Sequence, residues 1–208
     1  MGELNHQQEI SALEEWKRLR SVTLVRLNKD ALEEWKRING INHQQLKSFF
    51  RYHPPGKFQH LDSFRLRWLE PRIFDFVPHK NNPFSFIRYN GQVITPQRLF
   101  TDGGSIPRLF RWTGQLDPWQ YTPAYLLHDW LFGVHHCNTA NNITDEMVTF
   151  NDSADILMEA IQTMRKEGLA PGSDVTFTLI ELAVSSFVAK RLWNTEVFVC
   201  PLPPNVED

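Results

Sequence analysis

Cysteine is scarce in this chain. Cys137 and Cys200 are the only two in 208 residues, too few and too widely spaced for a thiolate zinc cluster. They fit a reducing compartment, with a single disulfide as the alternative. Charge of one sign is missing too: 22 Lys+Arg against 24 Asp+Glu leave a net charge of −2. No global basic field exists to collect nucleic acid or an anionic membrane, although residues 1–57 are mildly basic. The most apolar stretch, residues 175–189, is shorter than the ~20 residues a spanning helix needs and is broken by Glu181, so it reads as a buried helix. The polar start Met-Gly-Glu-Leu-Asn-His lacks the basic-then-apolar pattern of a secretory signal, which gives cytoplasmic synthesis as the expectation. There is no phosphate-binding glycine loop followed by Lys, no nucleophile elbow and no basic aromatic stripe.

What is present suits one domain with a sizeable core. Hydrophobic residues make up 41% and charged residues 22%, and 15 Phe with 7 Trp point to a bulky aromatic interior. The first fifty residues contain a duplication, Ala-Leu-Glu-Glu-Trp-Lys-Arg at 12–18 and again at 31–37. Ser11 with Glu14, and Asp30 with Glu33, have capping-box spacing, so residues 1–52 read as a helical N-terminal arm. Two copies are too few for a solenoid. The tryptophans of the arm would dock on the main domain or on a second subunit.

Tyr52-His53-Pro54-Pro55-Gly56 reads as a linker. A main domain over 58–196 and a tail over 197–208 follow. Phe64, Leu66 and Trp68 alternate with arginines, and Phe74 alternates with Phe76, which predicts two short half-buried strands. Asn90-Gly91 between two apolar runs predicts a hairpin with a type I′ turn. Beyond Pro107 the period becomes helical: Leu127, Leu131 and Val134, then Leu157, Ala160, Ile161 and Met164, then a last helix capped by Asp174 and running to about Asn194. The predicted class is α+β, a small antiparallel sheet followed by three or more packed helices.

The run His128-Asp129-Trp130-Leu131-Phe132 carries the chemistry. Neighbouring side chains on a helix diverge by about 100°, so His128 and Asp129 can serve adjoining subsites while His128 and Phe132 share a face. An imidazole with an ordinary pKa of about 6.5 can accept a proton near neutrality. Asp129 can hold a hard cation. Upstream, Asp102-Gly103-Gly104 offers a carboxylate and glycine carbonyls, the oxygen donors that calcium accepts. The same loop is also a helix start, with Ser105 as cap and Pro107 in the first turn. Asp155 can orient His128 by accepting from its second nitrogen, with Asp152 as the fallback and an ordinary N-cap as its other role. The plain alternative is a histidine that hydrogen-bonds a neighbouring strand beside an acid that merely pairs. His135-His136-Cys137 reads as a polar surface turn after Gly133 rather than as metal ligands.

Thr-Asp-Gly-Gly-Ser-Ile-Pro, Leu-Leu-His-Asp-Trp-Leu-Phe and Ala-Asp before an apolar helix, in that order, resemble the domain-of-unknown-function family 1353 of bacteria and tailed phages, over about residues 60 to 195. That resemblance implies little about activity. His-Asp with a downstream Asp and an upstream glycine loop is also similar to the phospholipase A₂ superfamily. The similarity implies that His128 activates water, Asp129 binds calcium with carbonyls around Gly103 and Gly104, and Asp155 orients His128. Phe132 stands where that superfamily has a tyrosine, and the loop departs from its usual pattern. Two functions stand side by side: a calcium-assisted hydrolase of lipid esters, or a non-catalytic virion, tail or other interaction protein that self-associates through its N-terminal helices. An HD-type metal phosphohydrolase is a third, and it would draw His53, His60 or His79 and Asp174 into a metal site.

Overall fold

The computed structural model describes Glu14, Lys17 and residues 51–71, 73–101, 118–140 and 148–195. Among them are six strands, β1 (Lys57–Gln59), β2 (Leu66–Glu70), β3 (Ile73–Phe76), β4 (Ser85–Ile87), β5 (Val93–Ile94) and β6 (Leu99–Thr101), and four α-helices, α1 (Thr122–Ala140), α2 (Phe150–Lys166), α3 (Asp174–Val184) and α4 (Phe187–Trp193). The class is α+β. The strands form two antiparallel sheets instead of the one expected, in the orders β1-β4-β5 and β2-β3-β6. Most of the N-terminal arm and the tail from 197 lie outside the described residues. Of the arm, Glu14 and Lys17 are helical, and Lys17 Nζ stands 2.5 Å from Glu70 Oε1 on β2.

The alternation in β2 and β3 has the expected consequence on one side. Phe76 is fully buried opposite Leu66. Trp68, still in register opposite Phe74, is nevertheless 63% exposed, and the pairing slips only beyond it, between Trp68 and Glu70. Phe58, Phe64, Phe76, Phe84 and Phe86 pack ring against ring and meet Leu127, Leu157 and Ile161 of the helices. This is the aromatic core the composition implies.

The turn at Asn90-Gly91 differs from expectation. Gly91 alone takes a positive φ (88°), Gly91 N–H donates to Arg88 O at 3.0 Å and Arg88 N–H to Gln92 O at 2.8 Å. A type I′ turn needs positive φ at both central residues, so this is a three-residue loop closing on a left-handed glycine. Asn90 instead accepts from Gln92 N–H through its side chain. The Pro-Pro-Gly segment is irregular but packed: Gly56 N–H donates to Thr163 Oγ1 on α2, and His53 is buried.

The helices start and stop for identifiable reasons. Thr149 caps α2, and Asp152 completes a capping box rather than acting as the cap. Ser173, not Asp174, caps α3. The single last helix is in fact two, because Ser185 and Ser186 turn their hydroxyls onto Glu181 O and Ala183 O, and Ser186 then caps α4. Gly133 does not end α1, which runs on to Ala140. His136 and Cys137 are therefore buried helix residues, not a surface turn. Cys137 is disulfide-bonded, so the chain realises the disulfide alternative rather than the reduced one.

Buried ion pairs join these elements. Arg98, just before β6, donates to Asp75 on β3 through Nε (3.0 Å) and Nη2 (2.9 Å). Arg88, after β4, reaches Glu159 on α2 with Nη2 at 2.7 Å. Both pairs are almost fully removed from solvent. Pattern reading did not anticipate them, since an arginine beside a strand reads as surface.

Candidate functional site

His128 and Asp129 sit near the middle of α1, on the side that faces the protein. Leu126, Leu127 and Leu131 anchor this helix in the core, which carries both polar residues inward with them. Asp129 is 2% exposed and accepts from Thr101 Oγ1 at 2.6 Å. Thr101 is the last residue of β6, so the hydrogen bond ties the end of that strand to the His-Asp pair. Asp102, Gly103 and Gly104 themselves lie outside the described residues, as does Ser105.

His128 is 7% exposed, and its ring lies 4.6 Å from that of Phe132, one turn on. Phe132 in turn meets Trp193 of α4 edge-on at 4.8 Å. Nε2 of His128 is buried without a hydrogen-bond partner. Burial pushes its pKa down to about 4, because the charged ring would lose water and gain nothing in return. The imidazole is therefore neutral at pH 7.

Asp155 is elsewhere. Half-exposed on α2, it stands 3.9 Å from His53 Nδ1, and no hydrogen bond joins it to His128. His53 Nε2 lies 3.3 Å from Glu181 Oε1 on α3, and Arg51 Nε is 3.7 Å from the same oxygen. Asp152 is held by Thr149, which keeps its carboxyl below the usual range. His60 is exposed at the start of a 3₁₀ turn, His79 accepts from the backbone of Asn81 and Asn82, and Asp174 pairs with Arg165. Among the described residues no three His, Cys, Asp or Glu are placed to hold a metal ion.

His136 has a structural task. Its Nε2–H donates to Trp193 O (2.9 Å) and Leu192 O (3.1 Å) at the end of α4, while His135 stacks on Trp193 at 3.9 Å. Burial pushes His136 to about 4, against the pull of those two carbonyls. The two buried imidazoles of α1 thus differ: one holds a helix end, the other holds nothing.

An α+β domain with a buried His-Asp pair, its Asp hydrogen-bonded to the end of β6, is the class that fold and site define. Residues 81–170 match the family model described as Protein of unknown function (DUF1353). The match contains Thr101, His128, Asp129 and Asp155, and leaves out His53 and Glu181. No curated protein and no solved structure matches the chain.

Proposed function

We propose that the chain is a calcium-assisted hydrolase of ester bonds, with lipid esters as the substrate class and His128 as the base that takes a proton from water. One observation carries this reading: His128 is buried and neutral, and its Nε2 has no hydrogen-bond partner. Buried polar atoms nearly always find partners, and an unsatisfied one costs about 1–3 kcal/mol, so a purely structural histidine would be expected to bond a strand or a carbonyl as His136 does. An imidazole kept unbonded is available to a substrate or a water.

The donor set near it suits a hard cation. Thr101 and Asp129 supply buried oxygens, and two residues of chain reach at most about 7 Å, so Gly103 starts from a root fixed beside Asp129. Asp129 with Asp102 and the carbonyls of Gly103 and Gly104 would hold calcium, whose charge would stabilise an oxyanion. The chain's own part is to present the neutral His128 nitrogen to water, with Phe132 against one side of the ring and Trp193 packed behind Phe132.

The test is fatty-acid release from phospholipid vesicles, with calcium and with a chelator. Wild type should release fatty acid only with calcium, and His128→Gln and Asp129→Asn should each lose at least about a hundredfold, the usual scale of general-base catalysis. Equal rates in every arm would leave the virion or interaction role in its place.

A further inference from the structure

The second histidine cluster lies outside the His-Asp pair and outside the stretch that matches the family model. His53 is buried between two carboxylates on different helices, Glu181 of α3 and Asp155 of α2. Glu181 is itself more than nine-tenths buried, and its second oxygen, Oε2, has no hydrogen-bond partner. A carboxylate is acceptor-only, so with Glu181 ionised the 3.3 Å contact is a donation from His53 Nε2–H. In the neutral ring that donation leaves the lone pair on Nδ1. Asp155 Oδ1, another acceptor, faces Nδ1 at 3.9 Å. Two acceptors cannot bond one another, so the gap calls for a donor between them.

We infer that Glu181, His53 and Asp155 form a second general-base centre that takes a hydroxyl donor, water in the simplest case, and activates it without a metal. Glu181 is the positioning residue, His53 the base, and Asp155 the second acceptor that orients the O–H. The hydroxyl proton moves to Nδ1, its electron pair stays on oxygen, and that oxygen forms the new bond to an acyl carbon. The departing alkoxide takes the proton back from Nδ1, so His53 ends as it began. Asp155 is half-exposed, so this end of the cluster is the one nearest solvent. Arg51, whose side chain is 78% exposed, meets Glu181 at 3.7 Å, and Arg165 lies over the Phe177 ring that packs edge-on against His53.

The probe is p-nitrophenyl acetate, hydrolysed by the full chain in the presence of a chelator. The calcium-dependent reaction proposed for His128 is silent there, so the two readings fail separately. Wild type should accelerate hydrolysis, His53→Gln should lose about a hundredfold or more, and Glu181→Gln should lose less, since it keeps the shape but not the charge. Nitrogen-15 spectra of the histidines decide the same point without activity: His53 should carry its proton on Nε2 alone at pH 7.5. Wild-type hydrolysis at the buffer rate, a folded His53→Gln with the wild-type rate, or a His53 protonated on both nitrogens would each overturn the inference, the last by making the cluster a plain ion pair.

Discussion

At the scale of single residues, the two depressed histidines set how the fold responds to acid. His128 and His136 each go from an ordinary 6.5 to about 4, so between these values the unfolded chain binds two protons that the folded chain refuses. Stability therefore rises with pH across that window and falls as pH drops from 6.5 to 4. Each shift of about 2.5 units corresponds to roughly 3 kcal/mol. Urea midpoints measured from pH 7 to pH 4 should fall steeply, and His128→Leu should remove about half of that slope. A wild-type midpoint that is flat over this range would show that neither ring is held neutral by burial. The same chemistry sets the activity profile: the base form of His128 persists down to about pH 4, so the acidic limb should lie well below that of an exposed histidine.

At the scale of elements, close approaches and buried charges hold sheets to helices. A Cβ added to Gly56 would lie 2.2 Å from the Ile87 carbonyl and 2.6 Å from the Phe86 ring. Gly56→Ala should force β1 away from β4 and cost at least about 1–3 kcal/mol, read as a lower melting temperature. Arg88→Met leaves Glu159 charged and buried, and should cost about 3–5 kcal/mol, whereas Arg88→Met with Glu159→Met should recover most of the loss. A double variant no better than the single would mean that the pair contributes more than it costs to bury.

Much of this level is legible in the chain. The helical period over Leu127, Leu131 and Val134 and over Leu157, Ala160, Ile161 and Met164 marks α1 and α2, since one face of each had to be buried. The Ser185-Ser186 break is not visible in periodicity, because the apolar pattern runs through it and only the hydroxyl hydrogen bonds divide it. Gly133 misleads for the opposite reason. Its helix is held by packing on both sides, and packing overrides a weak local propensity. The Asn-Gly turn misleads by one residue, since the loop length depends on where the strands pair.

At the scale of the whole molecule, the described residues bring together strands before the glycine loop and helices after it, with the His-Asp pair where they meet. The pair itself is legible as a motif, whereas the Thr101 to Asp129 hydrogen bond that ties it to β6 is not. The partner of Asp155 is not legible. His53 lies in a Pro-Pro-Gly segment that looks like a linker, and only tertiary packing brings it against α2 and α3. No described helix is long and apolar enough to cross a membrane. Trp68, Tyr89 and Val93 lie exposed on the strands and the hairpin loop.

The central claim is that His128 is left unbonded for chemistry rather than for stability. It is tested most directly by comparing the urea unfolding of wild type and His128→Leu at pH 7, where both side chains are neutral. An apolar side chain of similar size relieves the unsatisfied nitrogen, so the variant should be more stable by about 1 kcal/mol or more while the calcium-dependent ester hydrolysis is lost. A variant less stable than wild type by that margin would contradict the claim, because it would show that the imidazole holds the fold together.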